Sequence, residues 1–291
     1  MDNNLEQPMR KSKQTSIFIF LLALFMLLLA LYVYAFHIET KLIDVTERDI
    51  QHPNIPEIFN GVKVLQFSDT HFSEEFPHEQ QRKLVNEMNK LKPDIVVFTG
   101  DLIDNFSKYG ENRYESQKIL SKIQASLGKY AVFGNHDRGG GGGYLYKEYM
   151  EGAGFTVLVN ETEKITAKNG QSITLAGLDD FLLGKPDLHR TLSSLQGNDF
   201  NMLLVHEPDV IEQVDSYPIH FQMSGHSHGG QVQVPFVGPL ITAPLATKYT
   251  EGLYEVEGTQ LYVNRGLGTT RMPVRFFSQP EVSLFTLHSK K

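Results

Sequence analysis

Short apolar runs along this chain end, one after another, at Asp, Asn or His. Val62-Lys63-Val64-Leu65-Gln66-Phe67 leads into Ser68-Asp69, residues 94–98 lead into Gly100-Asp101, and residues 129–133 lead into Gly134-Asn135. The runs 202–205 and 219–223 end near His206 and His226. Runs this short and this rich in Val, Ile and Phe read as buried strands. Further strands are expected at 155–159, 173–176, 261–264 and 282–287. Leu84, Val85, Met88 and Leu91 recur at helical spacing within 78–91, and helices are also expected around 113–126 and 144–151. Alternating strands and helices specify a layered α/β fold. In open sheets of that kind ligands collect outside the carboxyl ends of the strands, which is the edge that carries these metal-type side chains.

Residues 17–35 are almost unbroken apolar sequence, long enough for one helical crossing of a bilayer core of roughly 30 Å. Arg10, Lys11 and Lys13 precede the run and only Lys41 follows closely. The positive-inside rule then keeps the N-terminus in the cytoplasm and sends the remainder outside. The alternative is a secretory signal cleaved after Val33-Tyr34-Ala35, which also exports the rest. No polar face interrupts the run, which argues against a buried helix of a soluble domain. Residues 37–60 are polar, contain Pro53 and Pro56, and are expected to hold an edge strand around 38–45.

The chain has no cysteine, so disulfides, thiolate metal sites and a cysteine nucleophile are excluded. A net charge of −7 with no clustered Lys and Arg shows no nucleic-acid surface. The five-glycine run 139–143 reads as a flexible loop. No strand leads into it and no Lys-Ser/Thr follows, so it is not a phosphate cradle.

Five segments carry the chemistry. They are Asp69-Thr70-His71; Gly100-Asp101-Leu102-Ile103-Asp104; Gly134-Asn135-His136-Asp137; His206 after a strand; and Gly225-His226-Ser227-His228-Gly229-Gly230. Imidazole mixed with carboxylate suits Mn, Fe, Zn or Co. In Asp69-x-His71 and His226-x-His228, alternate residues of an extended chain share a face. Glycines at 100, 134 and 225 permit tight turns and close backbone approach.

In this order the segments resemble the calcineurin-like metallophosphoesterases. The likeness spans residues 62–230, and the continuation through Gln231, Pro235-Phe236 and Asn264-Arg265-Gly266-Leu267-Gly268 is similar to the membrane-bound or exported bacterial subgroup. The resemblance implies a four-layer α-β-β-α sandwich with an N-terminal transmembrane helix. It implies two divalent ions per chain: Asp69, His71 and His228 on the first, Asn135, His206 and His226 on the second, and Asp101 bridging. His136 would face the substrate, with Asp137 orienting it and Asp104 supporting the ligands from behind. The implied reaction is hydrolysis of a phosphomono- or phosphodiester by hydroxide held between the metals. The expected organisation is a cytoplasmic N-terminus at 1–16, an anchor at 17–36, a juxtamembrane segment at 37–60 and the metallophosphoesterase domain at 61–291. The expected partners are the membrane and a phosphoester, lipid- or envelope-derived. Alternatives are a lipid-nucleotide pyrophosphatase acting on UDP-2,3-diacylglucosamine and a catalytically silent binding protein on the same fold.

Among Arg138, Arg265, Arg271 and Arg275, whose guanidinium forks match phosphate oxygens, Arg265 is the leading candidate for a substrate grip. His52, His78, His189, His220 and His288 fit no pattern. Asp179-Asp180 reads as a turn after the strand at 173–176 rather than a metal-proximal pair, and the apolar, Pro-rich stretch 232–245 as packing rather than a membrane-proximal loop or a substrate lip.

Overall fold

The computed structural model describes residues 8–290. The first seven residues of the expected cytoplasmic segment, and the side chains of Arg10 and Lys11, lie outside the described residues. Helix α1 (Pro8–Val33) continues through a π turn (Tyr34–Ile38) and a 3₁₀ turn (Glu39–Lys41). Its 26 residues rise about 39 Å, and none of its most apolar stretch is buried against the protein. The edge strand expected at 38–45 is a correction. The helical turns run on to Lys41, and β1 is Asp44–His52, because Glu39 and Ala35 are drawn into contact with the domain before the chain extends.

The remaining strands are β2 (Lys63–Phe67), β3 (Ile95–Phe98), β4 (Gly128–Ala131), β5 (Thr156–Val157), β6 (Glu161–Thr166), β7 (Ser172–Gly177), β8 (Asn201–Leu204), β9 (Phe221–Ser224), β10 (Gln233–Val234), β11 (Gly238–Pro239), β12 (Gly252–Val256), β13 (Thr259–Val263) and β14 (Glu281–Ser289). One sheet has the order β1-β14-β2-β3-β4-β5 and the other β12-β13-β9-β8-β7-β6, while β10 and β11 form a separate hairpin. All four residues of β3, β8 and β9 are buried, as strands covered on both faces must be.

Three apolar clusters fill the spaces between layers. Between the sheets lie Val64, Val97 and Phe285 of one with Leu175, Met202 and Phe221 of the other. Outside the first sheet, α2 (His78–Lys90), α4 (Asn112–Leu120) and α6 (Tyr146–Gly152) seat Leu84, Met88, Ile119 and Met150 on Leu65, Val96 and Phe98. Outside the second, Leu192 of α7 (Leu188–Leu192) and Val210 and Ile211 of a 3₁₀ turn cover Leu203 and Val263. The result is four layers, α-β-β-α.

Strand direction decides where the ligand edge faces. β1 leaves the foot of α1, and β14 runs parallel to it with Asp44 opposite Glu281. β2 is antiparallel to β14, so its carboxyl end returns toward the foot of α1. β3 and β4 are parallel to β2. In the other sheet β7, β8, β9 and β13 are mutually parallel. Arg265, just past β13, binds Asp44 and Glu281 at 2.8 and 2.9 Å, which brings both carboxyl edges to the α1 end.

At the start of β9, His220 stacks on Phe200 and lies 4.2 Å from the ring of His52. Its Nδ1 accepts from the Asn201 amide at 3.1 Å, so the ring is neutral. Burial, then His52, lowers its pKa from 6.5 to about 4. Its unfolded form therefore binds more protons between those values, and stability falls as pH drops through that window. Urea unfolding from pH 7 to pH 4 is expected to show this loss, and His220→Gln to reduce its slope.

Candidate metal centre

The turns after the strands hold their side chains by strained backbone. Asp69, His71, Asp101, His226 and His228 all have positive φ, between 42° and 68°. The left-handed region costs an L-residue about 1–2 kcal/mol, and such strain persists where the surroundings over-determine it. The surroundings here are the motif glycines. A Cβ on Gly134 would lie 2.3 Å from Asp101 Oδ1, and one on Gly225 would lie 2.0 Å from Ser68 Oγ and 2.2 Å from Asp69 Oδ2. Only Gly lets these turns pass so close to the carboxylates.

The side chains converge from both sheets. Asp69, His71 and His228 form one group, and Asp101, His206 and His226 another, with one ligand atom per residue and all such atoms in a group within 4.8 Å. Nε2 of His71 and Nε2 of His228 are 3.1 Å apart, and His228 Nε2 is 3.3 Å from Asp69 Oδ1. In the second group His226 Nδ1 lies 3.1 Å from His206 Nε2. Asp101 Oδ2 stands between the groups, 3.3 Å from His206 Nε2 and 3.6 Å from His71 Nε2. Asp69, His71, Asp101 and His206 are essentially fully buried, while the side chain of His136 keeps 31% exposure at the mouth.

Backbone carbonyls set the ring orientations. His206 Nδ1 faces the Thr99 carbonyl at 2.6 Å, leaving Nε2 for the cluster, as outer contacts of metal-binding histidines do. His226 Nε2 meets the Pro244 carbonyl at 2.9 Å. Carbonyls carry no side-chain signal, which is why sequence reading missed Thr99 and Pro244. Burial lowers His226 to about 4, reinforced by His206, and burial followed by His71 holds His228 well below 6.5. Both imidazoles are therefore neutral and able to donate a lone pair. Burial opposes ionisation of Asp101, but His206, His71 and His136 outweigh it and hold the carboxyl well below its ordinary value.

Two expected roles are corrected. Asp137 does not orient His136. Its carboxylate accepts from the amides of Asp101, Leu102 and Gly134 at 2.7, 3.0 and 2.9 Å, so it ties two metal-edge turns together. Burial and Asp101 push it up to about 8, against the pull of those amides. The ring of His136 is oriented by Asp104, whose carbonyl lies 3.1 Å and carboxylate 3.5 Å from Nδ1. Nor is Arg265 free to grip phosphate, because its guanidinium is committed to Asp44 and Glu281. Arg138 is paired with Asp179, and buried Arg275 donates to the carbonyls of Gly268, Ser278 and Gly266. Asp179 and Asp180 cap the turn that follows β7 through the amides of Lys185, Leu183 and Gly184.

Unsatisfied donors and acceptors test whether metal fits. Asn135 Oδ1 is buried without a hydrogen-bond donor among the described residues. Ring nitrogens of His71 and His228, and of His206 and His226, stand 3.1 Å apart beside buried carboxylates, and burial keeps His226 and His228 from taking up charge there. A cation resolves that arrangement, and the donor set suits a divalent transition metal.

A fold of two facing sheets with such donors along one carboxyl edge defines a metal-dependent hydrolase. The family model described as calcineurin-like phosphoesterase matches residues 62–230. The chain belongs to that family and is a hydrolase of phosphoric esters. It is 46% identical over 256 residues to the uncharacterized metallophosphoesterase YkuE of Bacillus subtilis, covering 88% of this chain and 89% of that one. It is 27% identical over 325 residues to the UDP-2,3-diacylglucosamine pyrophosphatase LpxG of Chlamydia muridarum, covering 91% and 95%. A transmembrane protein with metallophosphoesterase domain from Danio rerio is 30% identical over 259 residues, covering 85% of this chain and 57% of that protein. Calcineurin-like phosphoesterases use a dinuclear divalent metal site, and Asp and His groups here are positioned for metals.

Gly225→Ala is expected to displace Asp69 and lower bound metal while far-UV circular dichroism stays unchanged. Gly197→Ala, where a Cβ meets nothing within 4 Å, is expected to keep full metal content by elemental analysis.

Proposed function

We propose that this protein hydrolyses a phosphomono- or phosphodiester at two divalent ions, with its catalytic domain on the outer face of the membrane that holds α1. Asp69, His71 and His228 would hold one ion and Asn135, His206 and His226 the other, with the Asp101 carboxylate available to both groups. The observation that carries this reading is the placement of the Asp101 carboxylate between His71 and His206. Such ions would acidify an attacking water and offset charge on the phosphoryl oxygens. The mixed imidazole and carboxylate donors fit Mn, Fe, Zn or Co.

The chain's own residues supply the rest. The His136 amide donates to Asp101 Oδ1 at 2.8 Å, which fixes the residue over the cluster. Its Nδ1 is held by Asp104, so Nε2 is the atom left for substrate. Burial works against a charged ring there, but Asp101 and Asp104 outweigh it and raise the pKa above 6.5. A protonated Nε2 can pass its proton to the leaving oxygen.

Similarity to LpxG favours a second reading, hydrolysis of a lipid-linked pyrophosphate. Turnover of UDP-2,3-diacylglucosamine against an aryl phosphodiester separates the two. The outward orientation rests on Lys13, Arg10 and Lys11 before the apolar run. Protease added to intact cells should digest the domain, and complete protection would reverse the topology.

Asp101→Ala is expected to lower occupancy at both metals by elemental analysis, and two ions retained per chain would remove its bridging role. His136→Ala is expected to keep the metals and lower kcat about 10²–10⁴-fold. A kcat near that of the wild type would exclude it as the acid.

A further inference from the structure

The stretch 232–245 does not pack as expected. Its hairpin, β10 and β11, projects from the metal edge, and Phe236 at the tip is wholly exposed, with Val237, Leu240 and Ile241 each at least 60% exposed. No charged residue occurs from Gly229 to Thr247. Nearby Phe277 and Met272 are also more than half exposed. A contiguous apolar surface of this kind marks an interaction site.

Its position identifies the partner. The base of the hairpin is bonded to the 275–277 segment, with Gln233 N to Phe276 O and Phe276 N to Gln231 O both at 2.8 Å. That segment is bonded in turn to the foot of the anchor. Arg275 N donates to the Ala35 carbonyl at 3.0 Å, Ser278 N to Glu39 Oε1 at 2.7 Å, and the ring of Tyr34 meets Phe276 edge-on. The hairpin and the emerging membrane helix are thus neighbours on one end of the domain. A groove of about 580 Å³ runs from His71 to Phe36 and Thr40 on that same end. Exposed Arg271, beside Met272, has no carboxylate partner among the described residues, and a cation there suits anionic headgroups.

We propose that the apolar loop 234–241, with Met272 and Phe277, enters the headgroup–acyl boundary of the bilayer that anchors α1, so that the metal edge lies against the membrane surface. This rests on the reading of α1 as a membrane anchor. The loop is the second contact, and together with the hydrogen-bonded foot of α1 it sets the tilt of the domain against the bilayer. Because it lies between His228 and the Pro244 carbonyl that meets His226, contact with lipid bears directly on the ligand turns.

The chain has no tryptophan, so one introduced tryptophan reports a single position. The full chain is reconstituted in phosphatidylcholine–phosphatidylglycerol vesicles with lipids brominated along the acyl chain, as Phe236→Trp, Leu24→Trp or Ile58→Trp. Leu24 lies within α1, and Ile58 is a half-exposed residue just past the far end of β1. Phe236→Trp is expected to shift to the blue and lose roughly half its emission to shallow bromines, since interfacial side chains sit ~5–10 Å into the boundary. Ile58→Trp is expected to remain unquenched. A quenched Leu24→Trp beside an unquenched Phe236→Trp overturns the loop contact and leaves the anchor standing. Absence of quenching in both overturns the anchor and the loop contact with it. Quenching of Ile58→Trp equal to that of Phe236→Trp overturns the directed orientation.

Discussion

The carboxylate of Asp101 is where the two sheets are electrostatically joined. It belongs to the turn after β3, yet its nearest imidazole is His206 of the opposite sheet, at 3.3 Å, with His71 at 3.6 Å on its other side. Burying a charge in this way is costly unless it is paired. The fold meets that cost with imidazoles, with the amide of His136, and with a donor set ready for cations. The apolar layer between the sheets aligns the two edges, so a shift of one sheet against the other would separate the ligand groups. The strained φ values at five of the cluster residues show how tightly that alignment is imposed.

A second set of polar contacts couples this edge to the apolar N-terminal helix. Arg265 clamps Asp44 and Glu281, Arg275 lies buried among loop carbonyls, and Glu39 receives the amide of Ser278. Helix α1 therefore enters the domain through a buried polar junction instead of a free tether. Metal edge, hairpin and the foot of α1 are joined at one end of the domain. The apolar N-terminal helix and the metal edge are thereby linked through hydrogen bonds at one end of the domain.

Much of the fold was legible because buried strands and turn residues write a local signal. Residues 62–67, 94–98 and 202–205 were readable as short runs rich in Val, Ile, Leu and Phe, and the strands observed there differ from expectation by only a residue or two at the ends. β6 and β12 were missed: most of β6 is solvent-exposed, and β12 alternates intermediate with exposed residues, so neither carries a continuous apolar run. The edge strand expected at 38–45 begins only at Asp44, because the turns carrying Ala35 and Glu39 stay helical as far as Lys41.

Side-chain chemistry and order along the chain determined, by sequence alone, which residues could bind metal, that the N-terminal run is long enough to span a bilayer, and that cysteine chemistry is absent. Only the tertiary structure decided which groups meet. It turned Asp137 to three backbone amides and Asp104 to His136, spent Arg265 on an ion pair, and exposed the 234–241 hairpin beside the anchor. The physical reason is that a side chain's partners are chosen by packing between distant strands and by carbonyls that have no letter in the sequence. Local patterning specifies what each segment can bury; it does not specify what will be waiting on the other side.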